Sequence, residues 1–302
     1  MPFGRALVGA FQDPTNVKYV RMFTRCTTEE GTYEQVEIFG NGVMIWNGES
    51  QTRLPAIGVR GFIYRVHESG FADMPATFGG KAPEQPVPAR LESKAPLRIL
   101  CEFEVEIDAQ RKRVEQLDSG EQSDELLDLS RTFLAKCRRR AVLGVSAQDL
   151  GDGLAKVSER ELAPETFKMT FTEKPELSQS DEGGLLLKTR GRRMVARRHN
   201  RSSGFGKPVE MQLTQAAFAD LVRQLAARGA DAMPINLYAP NYIDLTIEVL
   251  NHRTSIQARQ FAGLEPDTHG EQQREFNKLV NVVRSLWRAS PADAPGEPER
   301  EP

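Results

Sequence analysis

The feature that most constrains how this 302-residue chain can fold is a set of sequence patterns that occurs in the same order in its two halves. Residues 54–75 and 213–234 align without a gap. Both segments place apolar residues at i, i+3, i+4 and i+7, the spacing of one face of an α-helix. These residues are Val59, Phe62, Ile63 and Val66 in the first half, and Phe218, Leu221, Val222 and Leu225 in the second. The pattern predicts one amphipathic helix in each half.

Glycines mark the ends of these two predicted helices. Gly70 and Gly229 occupy aligned positions after the apolar stripe. Glycine is the usual residue at the left-handed position that follows a helix. Gly58 and Gly61 lie inside the first segment, where glycine lowers the helix propensity. They weaken the helix prediction in the first half.

Alternating apolar and polar residues predict strands after each of these helices. Residues 99–107 alternate apolar residues with glutamates, and residues 243–249 repeat the alternation, with Ile243 aligned to Ile99. A turn and a second short strand follow in each half. A closing amphipathic helix comes last. Its apolar residues are Leu126, Leu129, Phe133 and Cys137 in the first half, matched by Phe276, Leu279, Val283 and Trp287 in the second.

Strands are also predicted ahead of the first helix of each half. Residues 17–26 resemble residues 165–174, and a β-hairpin follows each. The hairpin of the first half contains Asn41-Gly42 between β-rich runs, a strong hairpin signal. Residues 185–195 are its counterpart and keep a turn glycine, Gly191.

The order of elements predicts an α+β fold made by tandem duplication of a β-β-β-α-β-β-α module. Alternating strands are typical of antiparallel sheets with one covered face and one solvated face. We therefore expect both helices of each module on one face of its sheet.

The domain boundaries follow from the gaps between the repeated blocks. The first module is predicted at 1–143, with a Pro-rich surface loop at 79–96. A linker is predicted at 144–163 and the second module at 164–289. The remaining residues, 290–302, have the composition of a disordered tail.

Charge and cysteine content exclude several classes of protein. The formal net charge of −2 does not suit a nucleic-acid-binding polycation, and no run of about 18 apolar residues predicts a transmembrane helix. Three cysteines do not suit a disulfide framework. Cys26, Cys101 and Cys137 are therefore expected to be unpaired structural residues, and the expected location is the cytoplasm.

No motif predicts a reaction, so the chain is expected not to be an enzyme and to use no cofactor or metal. Gly206-Lys207 resembles the end of a phosphate-binding loop, but Arg201 stands in place of its first glycine and Pro208 in place of the Mg²⁺-binding residue. No histidines have metal-ligand spacing. The glutamates at 102, 104 and 106 can pair with the cations at 111–113 across a strand pair, which favours a charge-compensated face.

The strongest local anomaly is a basic segment, residues 188–201, that falls on the second hairpin. Its candidate binding residues are Lys188, Arg190, Arg192, Arg193, Arg197, Arg198, His199 and Arg201. The segment contains no acid, whereas its counterpart in the first half is nearly uncharged. Such a ribbon can bind phosphates or an acidic protein surface. The alternative is a solvated edge hairpin, because charges on edge strands deter aggregation.

The first half resembles the small α+β proteins typified by emfourin, a bacterial protease inhibitor. The resemblance rests on a first strand, a hairpin, a helix that ends in Gly-Phe-Ala-Asp-Met-Pro at 70–75, and an alternating strand. It covers residues 70–130 best. The resemblance implies that modules of this kind act as binding proteins, and it assigns no inhibitory residue to this chain.

These observations predict a non-catalytic interaction or adaptor protein of two related modules that contacts a protein partner through the hairpin at 188–201. A nucleic-acid-associated protein that uses the same hairpin on phosphate backbones is one alternative. A protein similar to protease inhibitors is another. No membrane contact is expected, and the sequence predicts no oligomeric state.

Overall fold

The computed structural model describes residues 2–13, 15–28, 30–79, 99–108, 110–118, 121–174, 184–200, 204–259 and 270–288. The chain divides into two compact units, Met1–Val145 and Ser146–Pro302. Most of the predicted loop at 79–96, the predicted tail at 290–302 and Arg201 lie outside the described residues.

The first unit alternates groups of strands with helices. Its elements are α1 (Pro2–Gln12), β1 (Val20–Thr27), β2 (Tyr33–Phe39), β3 (Val43–Trp46), β4 (Ser50–Arg53), α2 (Ala56–Glu68), β5 (Thr77–Phe78), β6 (Ile99–Ile107), β7 (Gln110–Leu117) and α3 (Asp124–Ala141). A two-residue strand, β8 (Val145–Ser146), follows where the first unit ends.

The second unit has a corresponding series. Its elements are α4 (Leu150–Ser158), β9 (Phe167–Lys174), β10 (Gly184–Arg190), β11 (Arg193–Asn200), β12 (Gly204–Phe205), β13 (Val209–Gln212), α5 (Gln215–Ala227), β14 (Asn236–Tyr238), β15 (Tyr242–Val249), β16 (His252–Arg259) and α6 (Gly270–Arg288). Single 3₁₀ turns at Val17–Tyr19 and Pro164–Thr166 precede β1 and β9.

Seven strands of each sheet follow the same order, and β8 and β12 are additional. The first runs β5-β7-β6-β1-β2-β3-β4-β8, and the second runs β14-β16-β15-β9-β10-β11, with β12 and β13 both pairing with β11. Two short pairs, β5 with β7 and β14 with β16, are parallel, and the long pairs around β1 and β9 are antiparallel. The α+β fold class is confirmed. Descent of the two units from one duplicated module stays a hypothesis.

The helices cover one face of each sheet, because each contributes one apolar stripe. In α2 and α5 the buried residues are the eight predicted from the i, i+3, i+4, i+7 pattern. Gly70 and Gly229 then end these helices at φ values of 67° and 63°. In β1, Val20, Met22, Thr24 and Cys26 are buried and alternate with half-buried residues. A single core joins these strand residues to α1, α2 and α3.

The predicted linker at 144–163 is wrong, because these residues include helix α4. Leu150, Leu154 and Val157 of α4 are buried, and the helix packs against α5, β15 and β16. The sequence pattern missed α4 because the helix is only nine residues long and contains two glycines. It also missed α1, β4, β5 and β14, so each unit contains more elements than the predicted β-β-β-α-β-β-α order.

The predicted alignment was wrong by one residue for β1 with β9, whose buried positions begin at Val20 and Phe167, and by two residues for β6 with β15. Val20 at the start of β1 pairs with Ile107, and Phe167 at the start of β9 pairs with Val249. Ile107 therefore corresponds to Val249. The predicted alignment of Ile99 with Ile243 instead pairs Ile107 with residue 251. A shift of two residues keeps every side chain on its own face of the sheet, so the apolar pattern could not reveal the error.

The expectation that all three cysteines are unpaired is wrong. Cys26 and Cys101 lie directly opposite each other on β1 and β6 and form a disulfide. Cys137 is the free cysteine, and it is buried on α3, where burial raises the pKa of its thiol to about 12. The bond could not be predicted from a local pattern, because the two residues are 75 positions apart in the chain.

No α-helix in the described part of the chain is both long and apolar enough to cross a membrane.

Candidate interaction surface

Each sheet has a face opposite its helices, called the open face below. In β9, Phe167 is buried and its ring lies 5.5 Å from that of Phe218 on α5, so Phe167 points to the helices. Successive side chains of a strand point to opposite faces. Lys168 and Thr170 therefore lie on the open face. The register then assigns Lys188 of β10, which lies opposite Thr170, to the same face.

Four of the predicted binding residues share this open face. Lys188 and Arg190 lie on it from β10. Arg193 pairs with Arg190 across the strands, and Arg197 pairs with Leu186, so both project from β11 to the same side. The side chains of Lys188, Arg193 and Arg197 are exposed, and that of Arg190 is half-buried.

The other four predicted residues do not join this group. Arg198 lies on the helix-covered side, with its guanidinium 5.5 Å from the centre of the Trp287 ring on α6. Arg192 lies in the turn, where its Nε donates a hydrogen bond to the Leu213 carbonyl at 3.1 Å. His199 is described only by its backbone pairing with Phe205, and Arg201 lies outside the described residues.

The strands that carry these cations are not a sheet edge. β10 lies between β9 and β11. β13 pairs with residues 193–196 of β11, and β12 pairs with residues 199 and 200. Protection of an exposed edge therefore does not account for the cations on the open face.

Two further cations extend the group. Lys168 and Lys174 are not among the binding residues predicted from the sequence, because they lie on β9 and are separated from the hairpin in the chain. Their signal was the alternation of Phe-Lys-Met-Thr-Phe-Thr-Glu-Lys at 167–174, which places both on one face. We call the resulting surface the basic face, defined by Lys168, Lys174, Lys188, Arg190, Arg193 and Arg197.

No described residue of β9, β10 or β11 places a carboxylate on the basic face. Glu173 is the one acid among these residues, and it points to the helices and pairs with Arg284. Carboxylates on flanking strands reach the margins. Lys168 pairs with Glu248 of β15 at 2.5 Å, and Arg193 pairs with Glu210 of β13 at 2.9 Å. At the centre, Lys188 and Arg197 form no ion pair with any described residue.

The centre of the basic face also contains apolar side chains. Leu186 lies opposite Arg197, and Val195 lies opposite Lys188. Both apolar residues are half-buried on the open face. The arrangement combines two cations free of ion pairs to described residues with a small apolar area between them.

The open face of the first unit is different, because its charges are matched. Arg21 pairs with Glu104 at 2.7 Å, and Arg25 pairs with Glu102 at 3.0 Å. Further ion pairs join Arg21 to Glu37 and Glu106, Arg111 to Glu104, and Arg113 to Glu102 and Glu115. The predicted charge-compensated face is therefore confirmed. Lys112 does not join it; its Nζ donates to the carbonyls of Ala72 and Met74, at 2.7 Å each.

The two central glutamates of this ion-pair lattice are both buried but titrate differently. Burial raises the pKa of Glu102, and the opposing charges of Arg25 and Arg113 do not fully offset it. Burial acts in the same direction on Glu104, but hydrogen bonds and ion pairs with Arg111 and Arg21 outweigh it and lower the pKa. The lattice is a structural feature, because these carboxylates are covered and paired.

Within the described ranges, no group of three or more His, Cys, Asp or Glu side chains is arranged to hold a metal ion. No protein-family model matches the chain, and no curated protein matches it.

Proposed function

We propose that this chain is a non-catalytic interaction protein whose basic face binds an acidic surface of a partner protein. The observation that carries the proposal is the pair Lys188 and Arg197, which are exposed, free of ion pairs to described residues and placed on the same face of adjacent strands. Leaving several cations together on a sheet interior has an electrostatic cost, since like charges on neighbouring strands repel. A complementary anionic partner removes that cost.

The apolar centre favours a protein partner over a nucleic acid. Protein interfaces combine an apolar core with a polar rim and are enriched in arginine. Leu186 and Val195 supply such a core between Lys188 and Arg197. Phosphate backbones offer no apolar surface to match it, and the described side chains of β9, β10 and β11 on this face include no aromatic residue for base stacking.

Nucleic-acid association remains the second candidate, supported by the six cations of the basic face. Random duplex and single-stranded DNA, titrated at two salt concentrations, distinguish the two functions. Binding to phosphates weakens steeply as salt rises, with a log–log slope set by the number of phosphates neutralised. The proposal of a protein partner requires that neither nucleic acid binds at physiological salt.

The direct test of the proposal is affinity capture with a Lys188→Ser/Arg197→Ser variant. Exposed cations contribute about 0–1 kcal/mol each to stability, so the variant is expected to fold normally. Partners captured from a lysate of the native host by the parent chain should be lost from the variant, as quantified by mass spectrometry.

The matched control is Arg223→Ser/Lys278→Ser, which removes the same charge from helices α5 and α6, on the opposite side of the same unit. Capture by this control should equal that of the parent. Equal capture by the parent and the Lys188→Ser/Arg197→Ser variant would show that the basic face is not the contact surface.

The cytoplasmic location stays a prediction, and the Cys26–Cys101 bond weighs against it. Disulfides persist in oxidising compartments and are rare in cytosolic proteins. Counting the reactive thiols of the chain, isolated without reductant, shows whether the Cys26–Cys101 bond is present. One reactive thiol after unfolding indicates that the bond is present in the cell, and three indicate that it is reduced.

A further inference from the structure

A second surface feature lies in the first unit, in a groove between α2 and the end of α3. The groove has a volume of about 1060 Å³. Leu54 and Phe62, both 7 % exposed, form part of its lining together with Ala135 of α3. This groove is far in the sequence from the basic face, and the sequence patterns gave no sign of it.

Two glycines of α2 lie on the side of the groove. Gly58 and Gly61 line it one helical turn apart. Packing does not require either glycine: a Cβ at Gly61 would meet nothing within 4 Å, and a Cβ at Gly58 would meet only Pro55 at 3.6 Å. Neither has the positive φ that favours glycine. Gly58 and Gly61 therefore lower the helix propensity of α2, and neither backbone conformation nor packing within the unit requires them.

The corresponding helix of the second unit shows the contrast. The buried stripes of α2 and α5 align, so Gly58 and Gly61 correspond to Ala217 and Asp220 of α5. Asp220 carries a charged side chain that pairs with Arg223. Because glycine allows another backbone to approach closely, the two glycines point to an occupant of the groove.

The sides of the groove are strongly basic. Arg65 of α2 and Lys136, Arg139 and Arg140 of α3 line it, and all are exposed. None of these four forms an ion pair with a described residue. Arg138 also lines the groove and is paired with Glu34. The single acid in the lining is Glu68, whose hydrogen bond with the Tyr64 hydroxyl raises the pKa of that tyrosine.

Exposed apolar side chains flank the same groove. Ile57 is 81 % exposed and lies two helical turns before Tyr64, a lining residue, on the same side of α2. Val142 and Leu143 follow directly after the lining residues of α3, and each is 84 % exposed. Basic residues at a helix C-terminus also interact favourably with the helix dipole, but that effect does not account for the apolar residues or the glycines.

We infer that the α2–α3 groove binds an acidic amphipathic helix of a partner protein. Leu54, Phe62 and Ala135 contact the apolar stripe of such a helix. Gly58 and Gly61 allow the axis of the bound helix to approach α2 closely. The four cations pair with acidic residues on either side of the stripe. This is the helix-in-groove mode of recognition, in which apolar anchors recur at i, i+3, i+4 and i+7.

The test uses a synthetic probe and the full chain. The probe is a labelled helical peptide with leucines at i, i+3, i+4 and i+7 and glutamates at the flanking positions, and its binding is followed by fluorescence anisotropy. We expect saturable binding that weakens as salt rises. The same peptide with lysines in place of the glutamates, and a single-stranded DNA of similar charge, should not bind in the groove.

Two groove variants and one control locate the binding. Gly61→Asp, which copies Asp220 of α5, and Arg139→Glu/Arg140→Glu should each weaken peptide binding by at least about tenfold. All three positions are exposed, and circular dichroism should show that the variants remain folded. Arg223→Glu/Lys278→Glu, which makes the same change of charge on α5 and α6 of the second unit, should bind the peptide as the parent does.

Three outcomes overturn the inference. The peptide does not bind the parent, or it binds the groove variants as tightly as the parent, or the DNA binds with the same dependence on Gly61 and Arg139/Arg140 as the peptide. The proposed function is tested separately, because the basic face and the groove are altered by different variants.

Discussion

At the scale of single residues, the clearest physical contrast is between Glu102 and Glu104. They are two positions apart on β6, are about equally buried at 4 % and 3 % exposure, and are both paired with arginines. Their pKa values shift in opposite directions, so their ionised forms affect stability in opposite ways.

The lowered pKa of Glu104 means that its ionised form stabilises the fold above the ordinary pKa of about 4.3, and that this is lost as pH falls through the lowered value. Glu104→Gln should therefore reduce the free energy of unfolding by about 1–3 kcal/mol near neutral pH. The loss should shrink as pH falls below the ordinary pKa and disappear below the lowered pKa of Glu104. Urea denaturation at several pH values measures it.

The raised pKa of Glu102 means that its ionised form destabilises the fold, so Glu102→Gln serves as the matched control. Protonation of Glu102 favours the folded state at low pH, and that contribution is lost as pH rises through the raised pKa. Glutamine resembles the protonated form. Near neutral pH, this variant should have an unfolding free energy equal to or above that of the parent. Equal losses in the two variants would contradict this account of the lattice.

The burial of single residues could be predicted from the sequence where it depends on a local pattern. The eight apolar residues of α2 and α5 could be predicted because helical periodicity alone places them on one face. The Cys26–Cys101 bond could not, since it depends on pairing of β1 with β6 across 75 residues. Gly58 and Gly61 were interpreted only as weak helix formers, because the open groove beside them requires α3 to be in place.

At the scale of elements, helix α4 gives a direct test of what residues 146–163 do. Leu154 is fully buried in α4, which packs against α5, β15 and β16. Leu154→Ala should lower the free energy of unfolding of the second unit by about 2–5 kcal/mol, as is typical of large-to-small core substitutions.

The control for α4 is Leu143→Ala, since Leu143 is 84 % exposed and lies just ahead of the predicted linker. Its effect should stay within about 0.5 kcal/mol. If Leu154→Ala has as small an effect as Leu143→Ala, α4 does not contribute to the core and residues 146–163 behave as the linker that the sequence predicted.

The hairpin formed by β10 and β11 could be predicted from the sequence only in part. The sequence correctly indicated two strands with a glycine turn between them. It could not assign faces, because the side on which each arginine lies depends on the pairing of β10 with β9. Arg198 therefore separates from Arg197, its neighbour in the chain, and contacts Trp287, while Lys168 joins the surface from another strand.

At the scale of the whole molecule, two units of the same strand order differ in the chemistry of their surfaces. The open face of the first unit is an ion-pair lattice, whereas the corresponding face of the second is the basic face. The groove with its glycines is found on α2, and α5 carries Ala217 and Asp220 instead. The shared fold explains the common pattern of apolar residues, and the differences are the basis for proposing a separate partner for each unit.

The measurement that tests the central claim most directly is lysine footprinting of the chain, free and bound to a partner captured with it. Acetylation of each lysine is quantified by mass spectrometry. Lys188, at the centre of the basic face, should lose several-fold of its labelling in the complex, while Lys278 on α6 should be labelled equally in both states. Equal labelling of Lys188 in the free and bound chain would contradict the claim that the basic face is the contact surface.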